Sequence, residues 1–358
     1  MKIPTASTSS IAPSTAATGA ATSSIRRRGR SIAADDRGLI RAIAGVAVSL
    51  VCIVLLVARI DLAGVGGALL AAAPAGIAVA VGLVCLEVAL RARRWQTLLQ
   101  VAGPVAYPRA VAYLCVGYFA NSLLPARLGD LARAHLAGHR LGIGGLVTLG
   151  TIIIERLADA GTILGAVLVL GLLTPAAHDL VWPALLLLGI GTVTGGVTVA
   201  LLVGLRRLGR DLPPVLRLPL SLLMRVAHGG AALRSPRSFA VVAGLTIAAF
   251  LVAAAEYWVV AGAVGLRLTL VEAALVMGAL ALSTSIPAAP GSLGTYELVG
   301  LAVLMQLGAP PAAAVASVVL MHLVATLPPA LVGLAAFWRL HLRLATFAPA
   351  IAPDPVPA

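Results

Sequence analysis

The sequence predicts an all-α polytopic membrane protein of about 7–9 transmembrane helices, with two re-entrant or broken segments placed in inverted halves. Three observations lead there. First, 60% of the 358 residues are hydrophobic and 11% are charged, where a soluble domain is about 25% charged. Second, apolar runs of about 20 residues recur along the chain, each long enough to span a bilayer. They are continuous rather than alternating, which selects helices over a barrel. Third, two segments inside this apolar background carry Pro, Gly and charge. The first runs from Tyr118 to Arg140 and the second from Ser285 to Glu297. In both, a Pro is followed four residues later by a Gly: Pro125 and Gly129, then Pro287 and Gly291.

The net charge of +13 does not imply a nucleic-acid partner. Most Lys and Arg sit in short loops, where they set membrane orientation and meet anionic headgroups. Cys52, Cys85 and Cys115 lie in apolar runs without a CxxC pair. They read as inert buried thiols. No disulfide framework, metal site or cofactor is expected.

Residues 1–38 are rich in Ser, Thr and Ala and become basic at Arg26–Arg30. Without an apolar segment near the start they are no secretory signal, and they read as a disordered cytoplasmic tail. The membrane domain then covers 39–344, with halves of about 39–205 and 238–344, and a loose tail covers 345–358. The first span is about Leu39–Ile60. The second, about Ala71–Leu90, ends in Arg91, Arg93, Arg94 and the interfacial Trp95, which mark a cytoplasmic end. Glu87 and Arg91 form an i,i+4 pair.

The run Arg109–Leu124 is short for a span. It leads straight into polar sequence and is expected to enter and leave on the cytoplasmic side. The span at about Gly145–Leu173 contains Glu155, Arg156 and Asp159. Charges at a helix centre cost roughly 2.5–3.5 kcal/mol each on the insertion scale, so this helix requires polar partners. Arg127, Asp130 and Arg133 are the nearest candidates.

A span at about Leu180–Leu205 leads to the basic loop Arg206–Arg237, whose middle reads as an amphipathic helix on the inner leaflet. Spans follow at about Ser238–Val264 and Leu270–Ile286. After the second break come Leu298–Leu307 and then Ala312–Trp338. Counted from a cytoplasmic N-terminus, the two halves run in opposite directions, so the two breaks approach from opposite faces. Paired interrupted segments of this kind point to a transporter-like site near the midplane. Ordinary loops between helices are the alternative.

Arg127, Asp130 and Arg133 recur at i, i+3, i+6, so a short helix over Leu124–Gly138 puts them on one stripe. The arginines stay charged in a membrane, and one Asp offsets one of them. Glu155 and Asp159, i,i+4 on one face, or an anionic ligand must supply the rest. The guanidinium fork suits phosphate. A phosphate or headgroup site and a self-satisfied ion network that fixes helix packing both fit this pattern. Asn121 is a helix cap or a ligand contact. Gly291 and Gly294 allow a tight bend, and Glu297 either complements the following helix dipole or binds a proton or cation. No catalytic triad is visible. His135, His139 and His322 lack metal-ligand spacing.

In order, the stretches RARRWQTLL, NSLLPARLGDLAR, IIIERLADAG and IPAAPGSLGTYE resemble the lysylphosphatidylglycerol synthase transmembrane family. That region forms the flippase half of the multiple peptide resistance factor and also occurs as stand-alone membrane proteins. The resemblance covers about residues 40–340. It implies a multi-helix bacterial inner-membrane domain, N-terminus cytoplasmic, that moves or handles anionic or aminoacylated phospholipids or related lipid-linked substrates. The matching residues are Arg94, Trp95, Asn121, Pro125, Arg127, Gly129, Asp130, Arg133, Glu155, Arg156, Asp159, Pro287, Pro290, Gly291, Gly294 and Glu297. Full-length synthases add a soluble aminoacyltransferase domain. This sequence leaves no room for one after its last span, so no synthase activity of its own is expected. Two other readings fit. One is a membrane-embedded transferase on a lipid-linked donor, with Asp130 or Glu155 as base. The other is a non-catalytic partner of a lipid synthase or transferase.

Overall fold

The computed structural model describes residues 47, 49–54, 61–124, 128–173, 224–284 and 289–342. All of these fall in the compact unit Gly45–Ala358. The two tails, most of the first span, the span at 180–205 and most of the basic loop lie outside the described residues. So do Pro125, Arg127 and Pro287.

The described residues are helical, with no strand among them. The chain forms α1 (Leu62–Leu70), α2 (Pro74–Leu98), α3 (Tyr107–Leu123), α4 (Leu128–Leu141) and α5 (Gly145–Leu173). After a short 3-10 turn at Gly229–Arg234 come α6 (Pro236–Ala263) and α7 (Leu270–Ser283). A second 3-10 turn, Pro290–Ser292, leads to α8 (Thr295–Gln306) and α9 (Pro311–Arg339). Asp61 caps α1 by accepting the Ala63 N–H. Pro stands in the first turn of α2, α3, α6 and α9, where its missing N–H costs nothing. Thr269 and Glu272 close a reciprocal capping box on α7.

Helices α2, α6 and α9 are long and apolar enough to cross a membrane. Helix α5 is as long, at 29 residues, but carries Glu155, Arg156 and Asp159. The four helices flanking the breaks are shorter. At 14, 14 and 12 residues, α4, α7 and α8 reach only about 18–21 Å, against a hydrocarbon core of about 30 Å. Helix α3, at 17 residues, sits at the lower limit for a span. The order long, short, break, short, long thus occurs twice, as α2–α5 and as α6–α9.

The equivalent helices α2 and α6 pack on each other more extensively than any other pair among the described residues. They run antiparallel: the Ala73 N–H at the start of α2 donates to the Ala263 carbonyl at the end of α6. Small residues allow the approach, as a Cβ on Gly76 would sit 2.8 Å from the Ala263 Cβ. Between membrane helices this close packing replaces the hydrophobic effect as the source of association.

Two apolar clusters lie at opposite ends of α2. One gathers its C-terminal Trp95 and Leu98 with Val105 before α3, Leu136 of α4, Val242 early in α6 and Phe337 late in α9. The other gathers Ala80 and Val84 of α2 with Val260 late in α6, Leu304 of α8 and Ala314 early in α9. Leu266, Leu268, Leu307 and Ala309, which flank α7 and α8, pack on that second cluster.

Trp95 departs from the sequence expectation. Helix α2 continues to Leu98, eight residues past the predicted end. Trp95 is fully buried, donating its indole N–H to Thr151 Oγ1 at 3.0 Å. Arg94 and Trp95, which looked like part of an interfacial anchor, therefore reach into the protein, while Arg93 stays exposed.

Candidate functional site

The 3-10 turn Pro290–Ser292 packs against α3, the helix that leads into the first break. At the first break, α4 crosses α3 at glycine. A Cβ on Gly129 would lie 2.5 Å from both the backbone N and Oδ1 of Asn121. At the second, Gly291 and Gly294 hold φ of 70° and 86°, the left-handed region that favours glycine. Ser49 covers this turn, its hydroxyl accepting the Ala289 N–H at 2.8 Å.

The charges of α2, α4 and α5 converge on one network. Arg94, only 2% exposed, donates to Asp159 Oδ1 at 2.5 Å and to Glu155 Oε1 at 3.4 Å. Arg133 donates to Glu155 Oε2 at 2.7 Å and stacks over Trp95, its guanidinium carbon 4.4 Å from the ring centroid. Arg91 joins Glu87 at 2.6 Å to Asp159 at 3.2 Å. Arg156 grips Asp130 at 2.8 Å and approaches Asp159 at 3.8 Å.

The sequence reasoning paired α4 with α5 correctly but expected Asp130 to serve the arginines of its own stripe. Asp130 also meets Arg156 of α5, and Arg133 meets Glu155. Four arginines and four carboxylates balance among the described residues. The pairing lets ions persist in a low-dielectric interior, where an unpaired one costs several kcal/mol.

Some polar capacity is left over. Arg94 Nε, Arg133 Nε and Asn121 Oδ1 are buried without a hydrogen-bond partner. The network also backs a large apolar cavity of about 880 Å³ between α5, α6 and α7. Two wall residues touch the charges directly. Thr246 Oγ1 accepts from Arg94 at 3.1 Å, and Arg91 lies over the Phe250 ring at 5.6 Å. Gly161 and Gly165 line the same cavity, and an added Cβ on either would meet nothing within 4 Å. The cavity's length along α5, from Ile154 to Val169, is about 22 Å, longer than one hydrocarbon leaflet of about 15 Å.

Glu297 is not part of that network. Its Oε2 accepts the Gly294 N–H at 2.6 Å, the helix-end role, and its Oε1 meets His322 Nδ1 at 2.5 Å. His322 Nε2 lies 2.9 Å from the Gly291 carbonyl. Tyr296 stacks on His322 at 4.2 Å and shares a 2.6 Å hydrogen bond with the Tyr257 hydroxyl. Pro290 opens the 3-10 turn.

Sequence reasoning missed His322, Tyr296, Tyr257, Thr246 and the part played by Arg91. Their partners lie 25 to 152 residues away, so no local spacing marks them. Glu256 lies inside the span expected at about Ser238–Val264. It is 1% exposed, and neither carboxyl oxygen has a hydrogen-bond partner. That isolation, in a helix long enough to span a membrane, was the available signal. Among the described residues no group of His, Cys, Asp and Glu is arranged to hold a metal.

A search of curated proteins gives no match. The model of the lysylphosphatidylglycerol synthase TM region matches residues 42–333. The match takes in both breaks, the whole charge network and every labelled helix except the last turns of α9. The chain is a membrane protein and belongs to the lysylphosphatidylglycerol synthase TM-region family.

Proposed function

We propose that the protein translocates phospholipids across a bacterial inner membrane, anionic or aminoacylated ones or related lipid-linked molecules. The observation that carries this reading is the apolar cavity of about 880 Å³ backed by buried arginines and acids. Its apolar walls suit acyl chains, and Thr246, bonded to Arg94, joins those walls to the ion network where a headgroup would be met. The unpartnered Nε–H groups of Arg94 and Arg133 are donors for phosphate, and Asn121 Oδ1 is an acceptor for an ammonium.

The doubled helix order supports a transporter-like architecture. In this reading α3–α4 and α7–α8 are two hairpins that enter the membrane from opposite faces. The antiparallel pairing of α2 with α6, and the packing of the two hairpin bases at opposite ends of α2, favour it. Broken helices that meet inside the membrane are tolerated because protein surrounds them. The exposed Arg93 near the end of α2 and Arg339 at the end of α9 favour the cytoplasmic face for the α3–α4 base. A transferase role has less support, since its base candidates Asp130 and Glu155 are both held by arginines.

The test is lipid movement in vesicles containing the purified chain and headgroup-labelled phosphatidylglycerol or lysylphosphatidylglycerol. Wild-type protein should move label between leaflets. Gly161→Leu, which projects a side chain into the cavity from a position where a Cβ meets nothing within 4 Å, should slow movement while leaving the unfolding midpoint within the spread of wild-type preparations. Equal movement in both would remove the cavity from the path. A covalent lipid product formed in place of movement would support the transferase.

A further inference from the structure

The charge network and the Glu297–His322 pair do not exhaust the buried ionisable groups. Glu256 stands two turns before the end of α6, 1% exposed, with both carboxyl oxygens unpartnered. Across the α2–α6 contact the charge in range of it is another carboxylate, Glu87. Glu87 keeps the Arg91 Nε–H at 2.6 Å, so that cation is already engaged. On α6 itself the neighbour is the Tyr257 hydroxyl, bonded to Tyr296 of α8.

The other ionisable groups on the packed elements are committed elsewhere. On α7, Glu272 closes its capping box. On α9, His322 holds Glu297 and the Gly291 carbonyl. On α5, Glu155, Arg156 and Asp159 belong to the ion network. Arg234 and Arg237 lie at the opposite end of α6. A buried carboxyl with no donor, no cation of its own and a like charge nearby holds its proton.

We propose that Glu256 is a proton-binding site inside the α2–α6 contact, occupied at neutral pH.

The proton site stands on the geometry of Glu256 alone and does not rest on the proposed function. Its test therefore measures no transport. Infrared difference spectra are recorded on the full chain in vesicles, stepped from neutral to alkaline pH. A protonated-carboxyl C=O band should be present at neutral pH, disappear at alkaline pH, and be absent in Glu256→Gln. Glu87→Gln removes the like charge and should lower the proton affinity of the site on the order of tenfold. The band surviving in Glu256→Gln would overturn the proposal. So would a titration midpoint that Glu87→Gln leaves in place, a comparison that holds even if Glu256→Gln fails to insert. If lipid does not move but the band titrates as stated, the proton site stands and the translocase reading fails.

Discussion

Arg94→Met removes the cation that ties α2 to α5. In the wild type Arg94 is 2% exposed and serves Asp159, Glu155 and Thr246 together. Without it, three arginines face four carboxylates in the network. Breaking a buried ion pair from one side typically costs about 3–5 kcal/mol. Here both acids retain a partner, Glu155 with Arg133 at 2.7 Å and Asp159 with Arg91 at 3.2 Å. The loss should therefore fall near the lower end, about 3 kcal/mol. Adding Asp159→Asn restores charge balance. The double variant should be more stable than the sum of the two single losses by about 1–2 kcal/mol, a coupling expected of residues in contact. SDS-induced unfolding of the purified chain in mixed micelles measures this, with the buried Trp95 as part of the fluorescence signal. A loss from Arg94→Met below about 1 kcal/mol, or strict additivity in the double variant, would refute the reasoning.

Three further outcomes follow from the same geometry. Gly129→Ala drives a Cβ to 2.5 Å from Asn121 and should cost about 1–3 kcal/mol by forcing α3 and α4 apart. Gly82→Ala, with open space around it, should be neutral or stabilising by up to about 1 kcal/mol in the same unfolding measurement. Arg133→Lys cannot both stack on Trp95 and reach Glu155 with a planar fork. It should lose about 1–2 kcal/mol in that assay despite keeping its charge.

What the sequence disclosed, and what it hid, follows from the range of each interaction. Helix α5 begins at Gly145 as predicted, because Gly142 and Gly144, both at positive φ, turn the chain just before its apolar run. The pairing of Arg133 with Glu155 was within reach, since α4 and α5 are consecutive and each carries uncompensated charge. Glu87 and Arg91 were paired by helical spacing alone. Arg94 and Trp95 were misread as an interfacial anchor because a basic and aromatic cluster after an apolar run has that meaning in most membrane helices. Only the continuation of α2 past Leu90, packed by Leu98 and Val105, carries them inside. The bond from His322 to Glu297 and the contact between Tyr257 and Tyr296 depend on how helices distant in sequence cross. Pro125, Arg127 and Pro287, central to the sequence reading of the breaks, lie outside the described residues.

The central claim is that the two hairpins enter from opposite faces, and side-specific cysteine labelling tests it most directly. In a cysteine-free background, Pro104→Cys and His139→Cys report the base of α3–α4, and Arg267→Cys and Gln306→Cys report the base of α7–α8. All four native positions are exposed. With an impermeant maleimide on sealed vesicles of known orientation, the first pair should react only from the cytoplasmic face and the second pair only from the other. Reaction of all four from one face, or a split within either pair, would contradict it.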